Sequence, residues 1–193
     1  MKKYSFILTL ICLFSCNNKS TYTLSDQEII FSIKKKNHID SLKIKRNEKL
    51  KVFFAIDPEC PLCKSYSKTM NDLYSNYQNN IDFYAFLPSP IFLKNKMEQF
   101  VEEYYFDMNV IIDTNQILTH FLNATITPEC FLLDKNLNII YQGLIDDWVK
   151  KLGRKGQKIN HRYLEEAIES HLNEESININ KTNAIGCRIQ ILK

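Results

Sequence analysis

No charge of either sign dominates this chain, no apolar run is long enough to cross a bilayer, and no repeat or low-complexity tract interrupts it. The formal net charge is +3; without residues 1–15, Lys2 and Lys3 go and 23 basic residues face 22 acidic ones. So balanced a surface gives no electrostatic reason to invoke nucleic acid. The four histidines, His38, His120, His161 and His171, share no metal-ligand spacing. Only one C-x-x-C pair is present and Cys130 and Cys187 are isolated, whereas a structural zinc site usually needs two further ligands at similar spacing. Lys64, not histidine, follows the one pair present, which excludes the C-x-x-C-H of haem attachment. What remains is 193 residues, 45% of them apolar. That suits one domain with a real core.

The N-terminus reads as a targeting segment. Lys2 and Lys3 make a positive start, and Phe6 to Phe14 make an apolar stretch too short to span a membrane as a mature helix. It ends in Leu13-Phe14-Ser15-Cys16, which resembles the lipobox of bacterial lipoproteins, with Phe14 bulkier than usual there. The resemblance implies cleavage after residue 15, lipid on Cys16, a polar tether over 16–27 and a folded domain over 28–193. Lipid chains would hold the protein on a membrane of the bacterial envelope, facing the periplasm, without crossing it. Which membrane is left open. Export also implies an oxidising or externally poised compartment. Cys12 leaves with the signal, so four thiols remain beyond Cys16: Cys60, Cys63, Cys130 and Cys187. Four cysteines permit three full pairings, and sequence does not choose among them.

Hydrophobic periodicity predicts the order of elements. Residues 29–33 and 38–44 read as strands, and 51–56 is a continuous apolar run suited to a strand buried on both faces. Pro61 fits the first turn of a helix whose apolar stripe is Leu62, Tyr66, Met70, Leu73, Tyr74 and Tyr77. A strand over 81–87 follows, then a helix marked by Met97, Phe100, Val101, Tyr104 and Tyr105. Next come a short strand over 109–113 and a helix marked by Ile117, Leu118, Phe121 and Leu122. Residues 127–134 and 138–143 read as a hairpin, and a last helix lies near 160–173. Apolar alternation ends the tail. Strands alternating with helices, plus a hairpin, predict an α/β fold with a mixed central sheet flanked by helices.

The chemistry concentrates in "FFAIDPECPLCKSYS", residues 53–67. Cys60 falls where a central strand stops and a helix begins. Free N–H groups and the positive end of the helix dipole favour the thiolate, which is the nucleophile. Cys63 lies one turn on, within reach of a mixed disulfide at Cys60. Hence Cys60 attacks and Cys63 resolves. A purely structural staple gains little from closing so small a loop. Asp57 and Glu59 are candidate proton acceptors for Cys63; the other role open to Asp57 is capping the helix. Asp146 and Asp147 read as caps for the segment after them, and residues 150–158 as a solvated basic turn. Cys130 reads as a core cysteine, and Cys187 either as a third redox cysteine or as a structural thiol. A Cys130–Cys187 disulfide is a further alternative.

"DPECPLCKSY", "TITPECFLLD", "YQGLIDDW" and "TNAIGCRI", in that order, resemble thioredoxin-like redoxins of the TlpA and alkyl hydroperoxide reductase/thiol-specific antioxidant groups, in a bacterial, Bacteroidetes-type form. The resemblance covers roughly residues 28–190. It implies a thioredoxin-like fold with a redoxin-type insertion at about 82–113 and an N-terminal strand extension. It also implies a cis Pro128, with Thr127 before it holding an extended substrate strand opposite Cys60. The activity implied is disulfide exchange with protein thiols, more reducing than oxidising, with a membrane thiol reductase as electron donor and no cofactor beyond the Cys60–Cys63 disulfide. Three positions depart from family patterns. Glu59 stands where thioredoxin has Trp, and an acidic neighbour is expected to raise the Cys60 pKa. Pro61 follows the first cysteine as in glutaredoxins. Asp57 stands where peroxiredoxins carry Thr, which counts against the alternative of a thiol peroxidase. A copper- or zinc-binding metallochaperone is the other alternative.

Overall fold

The computed structural model describes residues 29–35, 38–44, 47–91 and 94–192. The expected signal segment 1–15, Cys16 and the tether 16–27 lie outside the described residues. The central element is β3 (Leu50–Ala55), buried along its whole length. Its side chains alternate between two faces: Val52 and Phe54 enter one core, Phe53 and Ala55 the other. That is why the run is continuously apolar rather than alternating.

From β3 the chain enters α1 (Pro61–Tyr77), then β4 (Ile81–Leu87), α2 (Lys94–Glu103) and β5 (Asn109–Ile112). Strands β3, β4 and β5 run parallel. Parallel neighbours need long crossovers, and α1 and α2 supply them. After α3 (Ile117–Leu122) come β6 (Ile126–Thr127), β7 (Glu129–Leu133) and β8 (Ile139–Gly143). β7 returns antiparallel beside β3, and β8 pairs antiparallel with β7. At the other side, β1 (Ile29–Lys35) and β2 (His38–Ile44) form an antiparallel hairpin, and β1 joins β5. The seven-stranded order is β2-β1-β5-β4-β3-β7-β8. It is a mixed sheet with the expected N-terminal strand extension.

Helices cover both faces. On one, Cys63, Tyr66, Met70 and Leu73 of α1 pack with Met97 and Phe100 of α2 and with Leu164, Ala167 and Ile168 of α4 (Tyr163–Leu172). On the other, Leu118 and Leu122 of α3 meet Phe53, Phe86, Phe131 and Ile189. Each apolar side chain so buried contributes roughly 1.5–3 kcal/mol before entropy costs.

The structure corrects the expected elements in several places. α2 ends at Glu103, so Tyr104 and Tyr105 are not helical. Tyr105 is left-handed (φ 49) and points outward, turning the chain so that Phe106 enters the core. The strand expected over 127–134 is two strands, because Pro128 has no N–H to continue a ladder. The basic segment is not a simple turn: β9 (Val149–Lys151) and β10 (Arg154–Lys155) make a small hairpin there. The alternating tail forms only β11 (Cys187–Arg188), antiparallel to β6.

The tail is nevertheless fixed at three points. Thr182 N–H donates to the Gln142 carbonyl at 2.9 Å, and Ile189 N–H donates to the Thr125 carbonyl at 2.9 Å. Gln116, fully buried, donates through Nε2 to the Gln190 carbonyl at 2.6 Å and accepts the Leu192 N–H at 2.7 Å.

Candidate active site

Cys60 is the N-cap residue of α1, with Pro61 at the first helical position. Strand β3 delivers the chain to this point, and the 57–60 turn is closed by Cys60 N–H donating to the Asp57 carbonyl at 3.0 Å. Asp57 Oδ1 accepts the Glu59 N–H at 2.8 Å. Asp57 therefore braces the turn before the helix and does not cap α1 itself.

Three thiols converge. The Cys60 thiol lies 3.2 Å from the Thr127 carbonyl and 2.6 Å from Cys187 Sγ. Cys63 Sγ accepts the Asp57 N–H at 3.4 Å. Cys60 is 2% exposed and Cys63 0%, whereas Cys187 is partly exposed. All three are free thiols.

Their acidities split. The Cys60 pKa falls from 9.0 to about 4, chiefly because the Cys63 thiol donates to its sulfur; burial opposes this, and Cys187 and the helix N–H groups of Leu62 and Cys63 add to the lowering. The Cys63 thiol is pushed well up, first by burial and then by the bond it gives to Cys60. Cys187 rises to about 12 by burial and the same bonding to Cys60. Burial also raises the Asp57 carboxyl, partly offset by the Glu59 N–H. One thiolate thus sits between two thiols, with a carboxyl of raised proton affinity nearby.

Glu59 behaves differently from the sequence expectation. Its side chain turns out of the site and forms an exposed ion pair with Lys96 Nζ at 3.3 Å. The Lys96 ammonium offsets its charge beside the site.

Thr127-Pro128 is a cis peptide facing Cys60. The edge of Thr127 is occupied: Cys187 is its antiparallel partner in β11. The chain's own tail therefore lies where an extended substrate strand was expected. Gly186 makes the approach feasible, because a Cβ there would collide with the Thr127 carbonyl. Cys130 is elsewhere, fully buried in β7, its thiol donating to the carbonyls of Gly143 and Leu144 at 3.3 and 3.4 Å. It is a core cysteine, and the sulfur Cys187 meets belongs to Cys60.

Asp146 and Asp147 do cap loop backbone. Asp146 Oδ1 accepts the Trp148 N–H at 2.9 Å and the Tyr66 hydroxyl at 2.6 Å, tying the loop after β8 to α1. Asp147 accepts the Asn160 N–H at 2.8 Å and the Lys150 ammonium at 2.6 Å. Sequence reasoning missed Gln116, which holds the tail over the site. A lone glutamine between an aspartate turn and a short helix carries no periodic signal.

A buried CxxC at a helix start, facing a cis-proline strand in a mixed sheet, defines a thioredoxin-like protein. Residues 24–142 match the AhpC/TSA family, and the chain belongs to it. No curated protein matches. The fold is similar to the crystal structure of an uncharacterized conserved protein from Geobacillus kaustophilus, at 19% identity over 90% of this chain and 94% of that one, with a TM-score of 0.73. It is also similar to a putative thiol:disulfide interchange protein DsbE from Chlorobium tepidum, at 13% identity over 77% and 93% of the two chains, TM-score 0.55. StoA from Bacillus subtilis matches at 12% identity over 62% and 89%, TM-score 0.53. Among the described residues, no helix is long and apolar enough to cross a membrane.

Proposed function

We propose that this protein is a thiol–disulfide oxidoreductase that exchanges disulfides with protein thiols through Cys60 and Cys63. The observation that carries the reading is the placement of the pair: Cys60 caps α1 with its sulfur 3.2 Å from the carbonyl of Thr127 in the cis peptide, and Cys63 Sγ lies one turn on against the Asp57 N–H. The lowered pKa of Cys60 and the raised pKa of Cys63 fit attack by the first and resolution by the second. The Cys60 thiolate attacks a substrate disulfide, forms a mixed disulfide and expels one substrate thiolate. Cys63 gives up its proton, with the Asp57 carboxylate as acceptor, and attacks Cys60 Sγ. The Cys60–Cys63 bond forms and the second substrate thiolate leaves. Two electrons pass to the substrate; the reverse sequence oxidises it.

The resemblance to TlpA-type redoxins favours reduction, fed by a membrane thiol reductase. Stabilising the Cys60 thiolate, whose pKa is lowered, pulls the other way by favouring the reduced protein, and the potential decides between the two directions. The proposed setting is the bacterial envelope, with lipid on Cys16 as the anchor; the DsbE and StoA likeness supports a thiol-exchange protein. Asp57, standing where peroxiredoxins carry Thr, disfavours the peroxidase alternative.

The test is a redox titration of the full chain in mild detergent, with thiols mass-tagged and mapped by peptide. Cys60 and Cys63 are expected to titrate together as one two-electron couple, absent in Cys60→Ser. A potential near roughly −270 mV marks a reductant, and one near about −120 mV an oxidant. Thiols at 60 and 63 that stay unchanged across the buffers would refute the reading, and stoichiometric Cu(I) or Zn(II) binding would then become the leading idea.

A further inference from the structure

Three observations concern Cys187, and none follows from a CxxC mechanism. Its sulfur stands 2.6 Å from Cys60 Sγ, across 127 positions of sequence. Its backbone pairs with Thr127, the residue before the cis-proline. The segment carrying it is pinned on both sides, through Thr182 to β8 and through Gln190 and Leu192 to buried Gln116. An extended strand on the Thr127 edge with a sulfur against Cys60 has the arrangement expected of a substrate cysteine.

We propose that the tail is an internal substrate strand and that Cys187 is a second exchange partner of Cys60, so that oxidation passes through a Cys60–Cys187 disulfide. The inference rests on Cys60 being the attacking thiol. With β11 docked, Cys60 is 2% exposed, so an incoming disulfide reaches it only when this two-residue strand lifts. Cys60 then attacks, and a mixed disulfide forms with loss of one substrate thiolate. The returning strand competes with the substrate for the same Thr127 edge. Being tethered, it competes at high effective concentration. As it docks, the Cys187 sulfur loses its proton and attacks Cys60 Sγ. The Cys60–Cys187 bond forms, the bond to the substrate sulfur breaks, and the substrate leaves as a thiol carrying that proton. Cys63 next attacks Cys60 Sγ and releases Cys187 as a thiol, leaving Cys60–Cys63. The incoming disulfide is the only oxidant, and it takes two electrons.

The geometry also explains a glycine. Any side chain at 186 would strike the Thr127 carbonyl and lift the strand that carries Cys187.

Oxidised glutathione serves as the probe, acting on the full chain in detergent, with acid quenching, alkylation and peptide mapping. Cys63→Ser is expected to yield the peptide linked through Cys60 and Cys187, with glutathione released. Wild type is expected to show that link early and Cys60–Cys63 later. Cys187→Ser loses the link but still reaches Cys60–Cys63. Stable glutathione on Cys60 in Cys63→Ser, beside a free Cys187, overturns the inference; if Cys187→Ser still closes Cys60–Cys63, the CxxC reading survives it. Failure of Cys187→Ser to close Cys60–Cys63, with the Cys60–Cys187 link intact in Cys63→Ser, sinks the CxxC reading alone. Cys60 unmodified in every form sinks both.

Discussion

Three cysteine sulfurs share one environment here but not one acidity. Cys60 is depressed to about 4 while Cys63 and Cys187 are raised, although all three lie together. The cause is hydrogen-bond direction. Two thiols and the start of a helix all donate toward Cys60, so the single negative charge settles there. Ultraviolet thiolate absorbance of the reduced protein should therefore rise as pH increases through about 4, and Cys60→Ser should abolish that step. Cys63→Ala should move the step upward further than Cys187→Ala, because Cys63 is the larger contributor. No shift in either variant would contradict this account of the site. The linkage has a definite sign. A thiol lowered from 9.0 to about 4 adds stability that is complete above 9.0 and is lost as pH falls through about 4.

At the scale of elements, the decisive feature is the pairing of β6 with β11. Strand pairs this short have little stability of their own. The anchors at Thr182, Ile189 and Gln116 supply it. Gly186→Ala should break the pairing while leaving the sheet intact. Amide exchange across 186–190 should speed up markedly, and the yield of the Cys60–Cys187 link should fall. Ile189 buries its side chain in the second core, so its release should cost about 1–3 kcal/mol. Unchanged exchange across the tail would show that the close approach at Gly186 does not matter.

The whole molecule is two cores sharing one sheet. The tail reaches both faces, through Ile185 and Cys187 on the first and Ile189 on the second; Phe54 belongs to the face with α1, α2 and α4, Phe131 to the face with α3. Both are fully buried. Either substitution to alanine should lower unfolding free energy by about 3–5 kcal/mol in a denaturant titration. Phe131→Ala should loosen the tail around Ile189, which packs in its core, more than Phe54→Ala does. Equal tail exchange in the two variants would argue that the strap is independent of the second core.

The order of elements, the buried central strand and the CxxC at a helix start were legible in the sequence, because each is a local pattern. A run such as Val52 to Ile56 announces a strand covered on both faces, and the Leu62 to Tyr77 stripe announces a helix packed on one side. Boundaries set by single left-handed residues, such as Tyr105, were not legible, because nothing in the stripe ends there. The direction of Glu59 was not legible either; it depends on Lys96 of another helix. The position of Cys187 is the clearest case. Its sequence neighbours describe a short apolar tail, and nothing local distinguishes pairing with Cys130, pairing with Cys60 or burial alone. Only the packed sheet brings residue 187 opposite residue 127 and onto Cys60, because contacts across so many positions depend on the path of every element between them.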